Sequence, residues 1–122
     1  MTEFEIKIAE LNDLISTGET LKAIELFYSN NISMQENEET PRIGKLTCIN
    51  HEKQNLQKVK LLKGNLLNQA ICENVVFSEW EIIFTDKNDK TFKLTEVSVQ
   101  HWVEGQIEKE KFYYKEILSE KG

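Results

Sequence analysis

Hydrophobic positions change period halfway along the chain: before Lys60 they recur at helical spacing, and after it they alternate. Thr2 and Glu5 have the spacing of a capping box, and Phe4, Ile8, Leu11 and Ile15, with Leu14 alongside, form one stripe that runs to Gly18. Leu21, Ile24, Phe27 and Tyr28 make a second stripe, which Ser29-Asn30-Asn31 ends with residues that favour turns. The pattern predicts two neighbouring helices, a brief strand over 32–36, a polar loop over 37–42 and a third helix from about Gly44-Lys45. On that third helix Ile49, Glu52, Lys53 and Leu56 share a face and His51 lies roughly opposite, at about 100° per residue. Glu52 then either flanks a narrow apolar stripe at the solvent boundary or lines a cavity.

Four long strands are predicted next, over 61–72, 75–85, 91–104 and 106–114, with turns at Glu73-Asn74, at 86–89 and at Glu104-Gly105. Their order is a meander. Three helices before a run of antiparallel strands give an α+β domain with the helices on one face, and long strands twist, so that face becomes concave. Gly64 is expected to mark a bulge or bend. The final hairpin, 97–114, carries large side chains on both faces, whereas a half-buried strand alternates apolar with polar. Both faces are therefore expected to be covered, one by the chain's own helices around a pocket and the other by a second subunit.

Composition narrows the setting. A chain of 122 residues, 39% hydrophobic and 30% charged, can bury roughly two thirds of its unfolded surface in a single domain, 1–122, with no room for a second. A formal charge of −6 leaves no excess of Lys or Arg for a phosphate surface, which argues against nucleic acid. No apolar run approaches the roughly 18 residues a membrane helix needs. Cys48 and Cys72 match neither a metal-ligand spacing nor a secreted disulfide framework, and the acidic opening lacks a basic segment leading into an apolar stretch. A reducing cytoplasm is the expected location, with both cysteines as small core residues. Only two histidines, His51 and His101, are present, so neither a metal nor a cofactor is expected, and no nucleophilic triad is discernible.

Three segments, FYSNNISMQEN over 27–37, PRIGK over 41–45 and VQHWVEGQIEKEKFYY over 99–114, together resemble the SnoaL-like branch of the NTF2-like superfamily. Their order and spacing carry the resemblance across nearly the whole chain. It implies a cone open at one end, with N-terminal helices packed on a strongly bent antiparallel sheet that leaves a pocket, and dimers built through the sheet. Members include polyketide cyclases, dehydratases, steroid isomerases and proteins without known catalysis. The resemblance also assigns faces. The acid–base Asp or His of enzymatic relatives falls at Phe112 and Glu110, which puts Glu108, Glu110, Phe112 and Tyr114 inward and Lys109, Lys111 and Tyr113 outward. Ser98, Gln100 and Trp102 fall inside, leaving Val97, Val99, His101 and Val103 as a convex apolar patch that a twofold partner would bury.

Phe112 neither takes nor gives a proton, so a catalytic role passes to Glu110, whose pKa would rise if Trp102, Phe112 and Tyr114 exclude water, and to Glu36, with Met34 as an apolar wall. Alternatively Glu110 belongs to a solvated strand end between Lys109 and Lys111, or pairs with Arg42. Trp80, Trp102, Phe112 and Tyr114 either meet a ligand or fill the core. Gln100 and Tyr28 need a partner, in a ligand or a neighbouring strand, because a buried unpaired polar group costs roughly 1–3 kcal/mol. The favoured function is a dimer that binds a hydrophobic or aromatic small molecule through Tyr28, Met34, Trp80, Ser98, Gln100, Trp102, Phe112 and Tyr114. The alternative is an isomerase, dehydratase or cyclase-like enzyme with Glu110 or Glu36 as base.

Overall fold

Thr2 opens the first helix through the reciprocal cap its spacing predicts: its hydroxyl accepts from the Glu5 N–H at 3.1 Å, and its own N–H donates to the Glu5 carboxylate at 2.9 Å. A computed structural model describes residues 1–115; residues 116–122 of the expected domain lie outside the described residues. Helix α1 spans Glu3–Ser16 and α2 spans Thr20–Phe27. Gly18 joins them at φ +79°, and a Cβ there would stand 2.3 Å from the carbonyl oxygen of Leu62. Glycine is required on both counts, because the left-handed backbone disfavours other residues and the turn is pressed against the sheet.

Strand β1, Tyr28–Glu36, starts where α2 stops, four residues before the predicted strand. Ser29-Asn30-Asn31 is thus not a turn. The Ser29 hydroxyl accepts from the Asn31 N–H at 3.0 Å and donates to Glu108 at 3.1 Å, so side-chain bonds hold this irregular stretch within the strand. Strand β2, Arg42–Ile43, pairs antiparallel with β1 and takes Arg42 out of the predicted loop. Helix α3, Lys45–Leu56, follows Gly44 as predicted. The meander is β3, Val59–Cys72; β4, Val75–Asp86; β5, Thr91–Val103; and β6, Gln106–Tyr114.

The six strands form one curved sheet in the order β2-β1-β6-β5-β4-β3. The meander is antiparallel, but β1 runs parallel to β6, so the sheet is mixed and the last strand lies inside it. Period-two parity places Val76, Ser78 and Trp80 of β4 and Ser98, Gln100 and Trp102 of β5 on the buried, concave face. On β6 the expected parity breaks once. Glu108 is the extra residue of a bulge opposite His101 and Trp102, so Ile107, fully buried, takes the inward place expected for Glu108. Downstream of that bulge Glu110 faces inward again.

Gly64 marks no bulge. It sits in regular register with Ile82, and a Cβ there would come within 3.2 Å of the Trp80 ring, so it serves the close approach of that indole. The register shifts of β3 fall instead between Val59 and Leu61 and between Leu66 and Asn68. Ile8, Leu11, Ile24, Phe27, Ile32, Val76, Trp102 and Ile107 fill the space between the helices and the concave face. Trp102 meets Phe4 edge-on at 5.3 Å and Phe27 at 6.2 Å, closing that end of the core. No helix among the described residues is long and apolar enough to cross a membrane.

Gly18→Ala is expected to cost about 2–4 kcal/mol, because both the backbone angle and the Leu62 carbonyl oppose a methyl group. Gly105→Ala, also at positive φ but facing only the movable end of Lys7, is expected to cost about 1 kcal/mol. Urea unfolding of the two variants checks the ranking.

Candidate functional site

Between α2, α3 and the concave sheet lies a cavity of about 470 Å³. Its wall is mostly apolar, with Ile24, Met34, Trp80, Ile82 and Phe112 among its members. The sheet register sets one carboxyl into this wall. Glu110 on β6 stands between Gln100 on β5 and Met34 on β1, and its residue surface is only 2% exposed. The Tyr28 hydroxyl donates to one of its oxygens, and the Gln100 amide donates to the other at 2.7 Å. The Trp102 indole N–H in turn donates to the Gln100 carbonyl at 3.1 Å. A four-residue chain of donors and acceptors thus fixes the carboxyl from behind.

Burial pushes the Glu110 carboxyl up to about 7, even though its bonds from Tyr28 and Gln100 pull the other way; Glu36 repels it further and Arg42 opposes that. Burial also raises the Tyr28 phenol well above its ordinary value, with the Glu110 charge adding to the effect. The solvated strand end considered for Glu110 is therefore not observed. Nor does Arg42 pair with it, because Arg42 binds Glu36 at 2.7 Å on the neighbouring strands.

Three further carboxyls, Glu36, Glu52 and Glu96, line the same cavity. Burial raises Glu52, while Thr20, Asn55 and the neighbouring His51 draw it partly back. Of its two sequence readings, the cavity-lining one describes its position. His51 borders the cavity too, rather than lying opposite, because a broad opening spans adjacent positions on the helix surface. Glu96 is pushed up to about 7 by burial and then by the charges of Glu110, Glu36 and Glu52. No neighbour among the described residues draws it back. Sequence reasoning missed Glu96, although the alternation that puts Ser98, Gln100 and Trp102 inward reaches it one step earlier.

Tyr28, Met34, Glu36, Trp80, Ser98, Glu110, Phe112 and Tyr114 all border the cavity. Gln100 and Trp102 do not; they stand behind Glu110, and Trp102 lines a separate hollow with Phe4, Lys7 and Gly105. Cys48 is buried at the wall and its thiol is pushed up by burial, whereas Cys72 is exposed, contrary to the core position expected for it, because it lies at the end of an edge strand. Among the described residues no group of His, Cys, Asp and Glu is arranged to hold a metal ion.

No family model and no curated protein matches the sequence. Solved structures do. A Mesorhizobium loti protein named as a SnoaL-like polyketide cyclase is similar with a TM-score of 0.78 at 20% identity, over 93% of this chain and 100% of its own. An NTF2-like protein of unknown function from Burkholderia pseudomallei gives 0.82 at 9% identity, over 94% and 92%. A protein of ketosteroid isomerase-like fold from Catenulispora acidiphila, in complex with trimethylamine, gives 0.75 at 9% identity, over 88% and 84%. Likeness at these identities shows the fold: the chain has the NTF2-like fold of SnoaL-like proteins that its sequence segments resemble.

Both Glu96 and Glu110 hold protons in the native state that the unfolded chain releases near its ordinary carboxyl value of 4.5. Stability is therefore expected to fall as pH rises from about 4.5 to about 7, by up to roughly 3 kcal/mol for each group, and to level off above. Glu110→Gln and Glu96→Gln should each flatten that slope. Urea midpoints between pH 5 and 8 measure it.

Proposed function

We propose that this chain binds a small, largely apolar organic molecule in the cavity, as a cytoplasmic homodimer. The observation that carries this reading is the hollow itself: about 470 Å³, apolar around most of its wall, with one carboxyl held at a fixed angle by Tyr28 and Gln100. That volume and that mix of apolar surface with few oriented polar groups suit a compact metabolite. Met34, Trp80, Ser98, Phe112 and Tyr114 supply contact surface, and Glu110 supplies the polar anchor. Gln100 and Trp102 act as positioning residues by fixing the anchor. The trimethylamine complex of a neighbour with the same fold supports a small organic ligand.

A second reading has one specific observation in its favour. A buried carboxyl near pKa 7 in a largely apolar cavity is suited to take a proton from carbon next to a carbonyl and return it. The neighbour named as a polyketide cyclase lends support to acid–base chemistry on this scaffold. Glu110 is the preferred base, since Glu36 is engaged by Arg42.

The dimer rests on the convex face. There Phe77 pairs with Val99 and Val97 with Tyr113 across adjacent strands, and Phe77, Val97, Val103 and Tyr113 are exposed. His101 lies on the same face. A second copy would take this patch out of water.

Small aromatic probes should quench tryptophan fluorescence through Trp80. Ser98→Phe, which fills the cavity beside Phe112, should abolish that binding while circular dichroism stays native; undiminished binding in the variant would move the site elsewhere. For the second reading, exchange of α-protons from a cyclic ketone in deuterated water should appear, and Glu110→Gln should slow it about 100-fold or more. Sedimentation at micromolar concentration should give a dimer, and Val99→Asp a monomer.

A further inference from the structure

The cavity's charges do not balance. Glu36 enters its wall from β1, Glu52 from α3, Glu96 from β5 and Glu110 from β6. Against them stand Arg42 of β2 and two lysines, Lys58 and Lys63, which border the opening but are themselves exposed. Arg42 is committed to Glu36 at 2.7 Å. His51 of α3 adjoins Glu52, and the remaining ionisable members of the wall are Tyr28, Tyr114 and Cys48. Among the described residues, Glu52, Glu96 and Glu110 therefore share the interior without a buried cation of their own.

These three carboxyls are not equivalent. Both Glu110 oxygens are taken by Tyr28 and Gln100. Glu52 has Thr20, Asn55 and His51 beside it, and all three favour its charged form. Glu96 has no such neighbour among the described residues: burial and the charges of Glu110, Glu36 and Glu52 all disfavour its charged form. The strand register adds an independent observation. Glu96 is the Cα partner of Trp80 on one side and of Tyr114 on the other, so three adjacent strands present a row of indole, carboxyl and phenol to the same cavity. A carboxylate flanked by two aromatic rings offers a cation both a counter-charge and negative ring faces. The carboxyls are spread over four elements and are not grouped to ligate a metal ion. An organic cation suits this wall, because its charge can sit at the row while its body occupies the apolar remainder.

We propose that the cavity selects an organic cation, an ammonium group carried on an apolar body, with Glu96 as its counter-ion and Trp80 and Tyr114 as its flanking aromatic surfaces. This rests on the reading that the cavity binds a small molecule, and it specifies the class of that molecule. The buried carboxyls limit their mutual repulsion by retaining protons. A bound ammonium replaces them as the positive charge, so binding near neutral pH releases protons and strengthens as Glu96 ionises.

Three probes with one skeleton separate charge from shape: 4-phenylbutylamine, 4-phenylbutanol and 4-phenylbutyrate, titrated calorimetrically into the native protein. At pH 8 the amine should bind at least about tenfold more tightly than the alcohol, and the butyrate most weakly. From pH 6 to pH 8 the amine's affinity should rise about tenfold, with proton release seen as a buffer-dependent enthalpy. Glu96→Gln should bring amine and alcohol within about threefold of each other and remove the pH dependence. Equal affinity for amine and alcohol, or an amine preference that survives Glu96→Gln, overturns the cation assignment and leaves small-molecule binding intact. Failure of all three probes to bind overturns both.

Discussion

A carboxyl can leave water only if it keeps a proton or finds donors, and Glu110 does some of each. Much of the architecture serves that requirement. Tyr28 must stand at the junction of α2 and β1 for its hydroxyl to reach across the parallel pair. Gln100 must lie opposite on β5, and Trp102 must occupy its amide oxygen while being wedged between Phe4 and Phe27. The bulge at Glu108 sets the phase: it lets Ile107 and Glu110 both face inward, where strict alternation would turn one of them to solvent. Core packing, strand register and site electrostatics thus converge on one side chain.

How much of this the sequence disclosed depends on the range of the interaction. The capping box, the glycine after α1, the change of period near Lys60 and the tight turns are local, and they were legible as written. Alternation was legible too, and the faces that the family resemblance assigned to it put Ser98, Gln100 and Glu110 on the inner side, where they are buried. It failed at Glu108 because a bulge is an agreement between two strands and has no signature in one of them. Ser29-Asn30-Asn31 misled for a related reason: its turn propensity was overridden by a tertiary partner, Glu108. The parallel pairing of β1 with β6, the engagement of Arg42 by Glu36 and the role of Gly64 beneath an indole all join residues far apart in sequence. Glu96 differs from these. Its alternation with Ser98 exposed it to inference, and only its acidic character in a polar-looking segment concealed it.

Neighbours at 9–20% identity share the curved sheet and its helices, so the fold is maintained by pattern rather than by particular residues. In this chain the sheet and helices enclose an apolar hollow whose wall carries several carboxyls and, among the described residues, a single arginine that is paired with Glu36.

The position of β6 has a consequence for biosynthesis. Because the meander's last strand is inserted between β5 and β1, the β1–β2 pair cannot hydrogen-bond to the rest of the sheet until β6 is available. A nascent chain leaving the ribosome would carry β1 with one edge unpaired until β6 emerges, and would then close the sheet in a long-range step. Premature termination anywhere before β6 would remove the interior of the sheet rather than fray its edge.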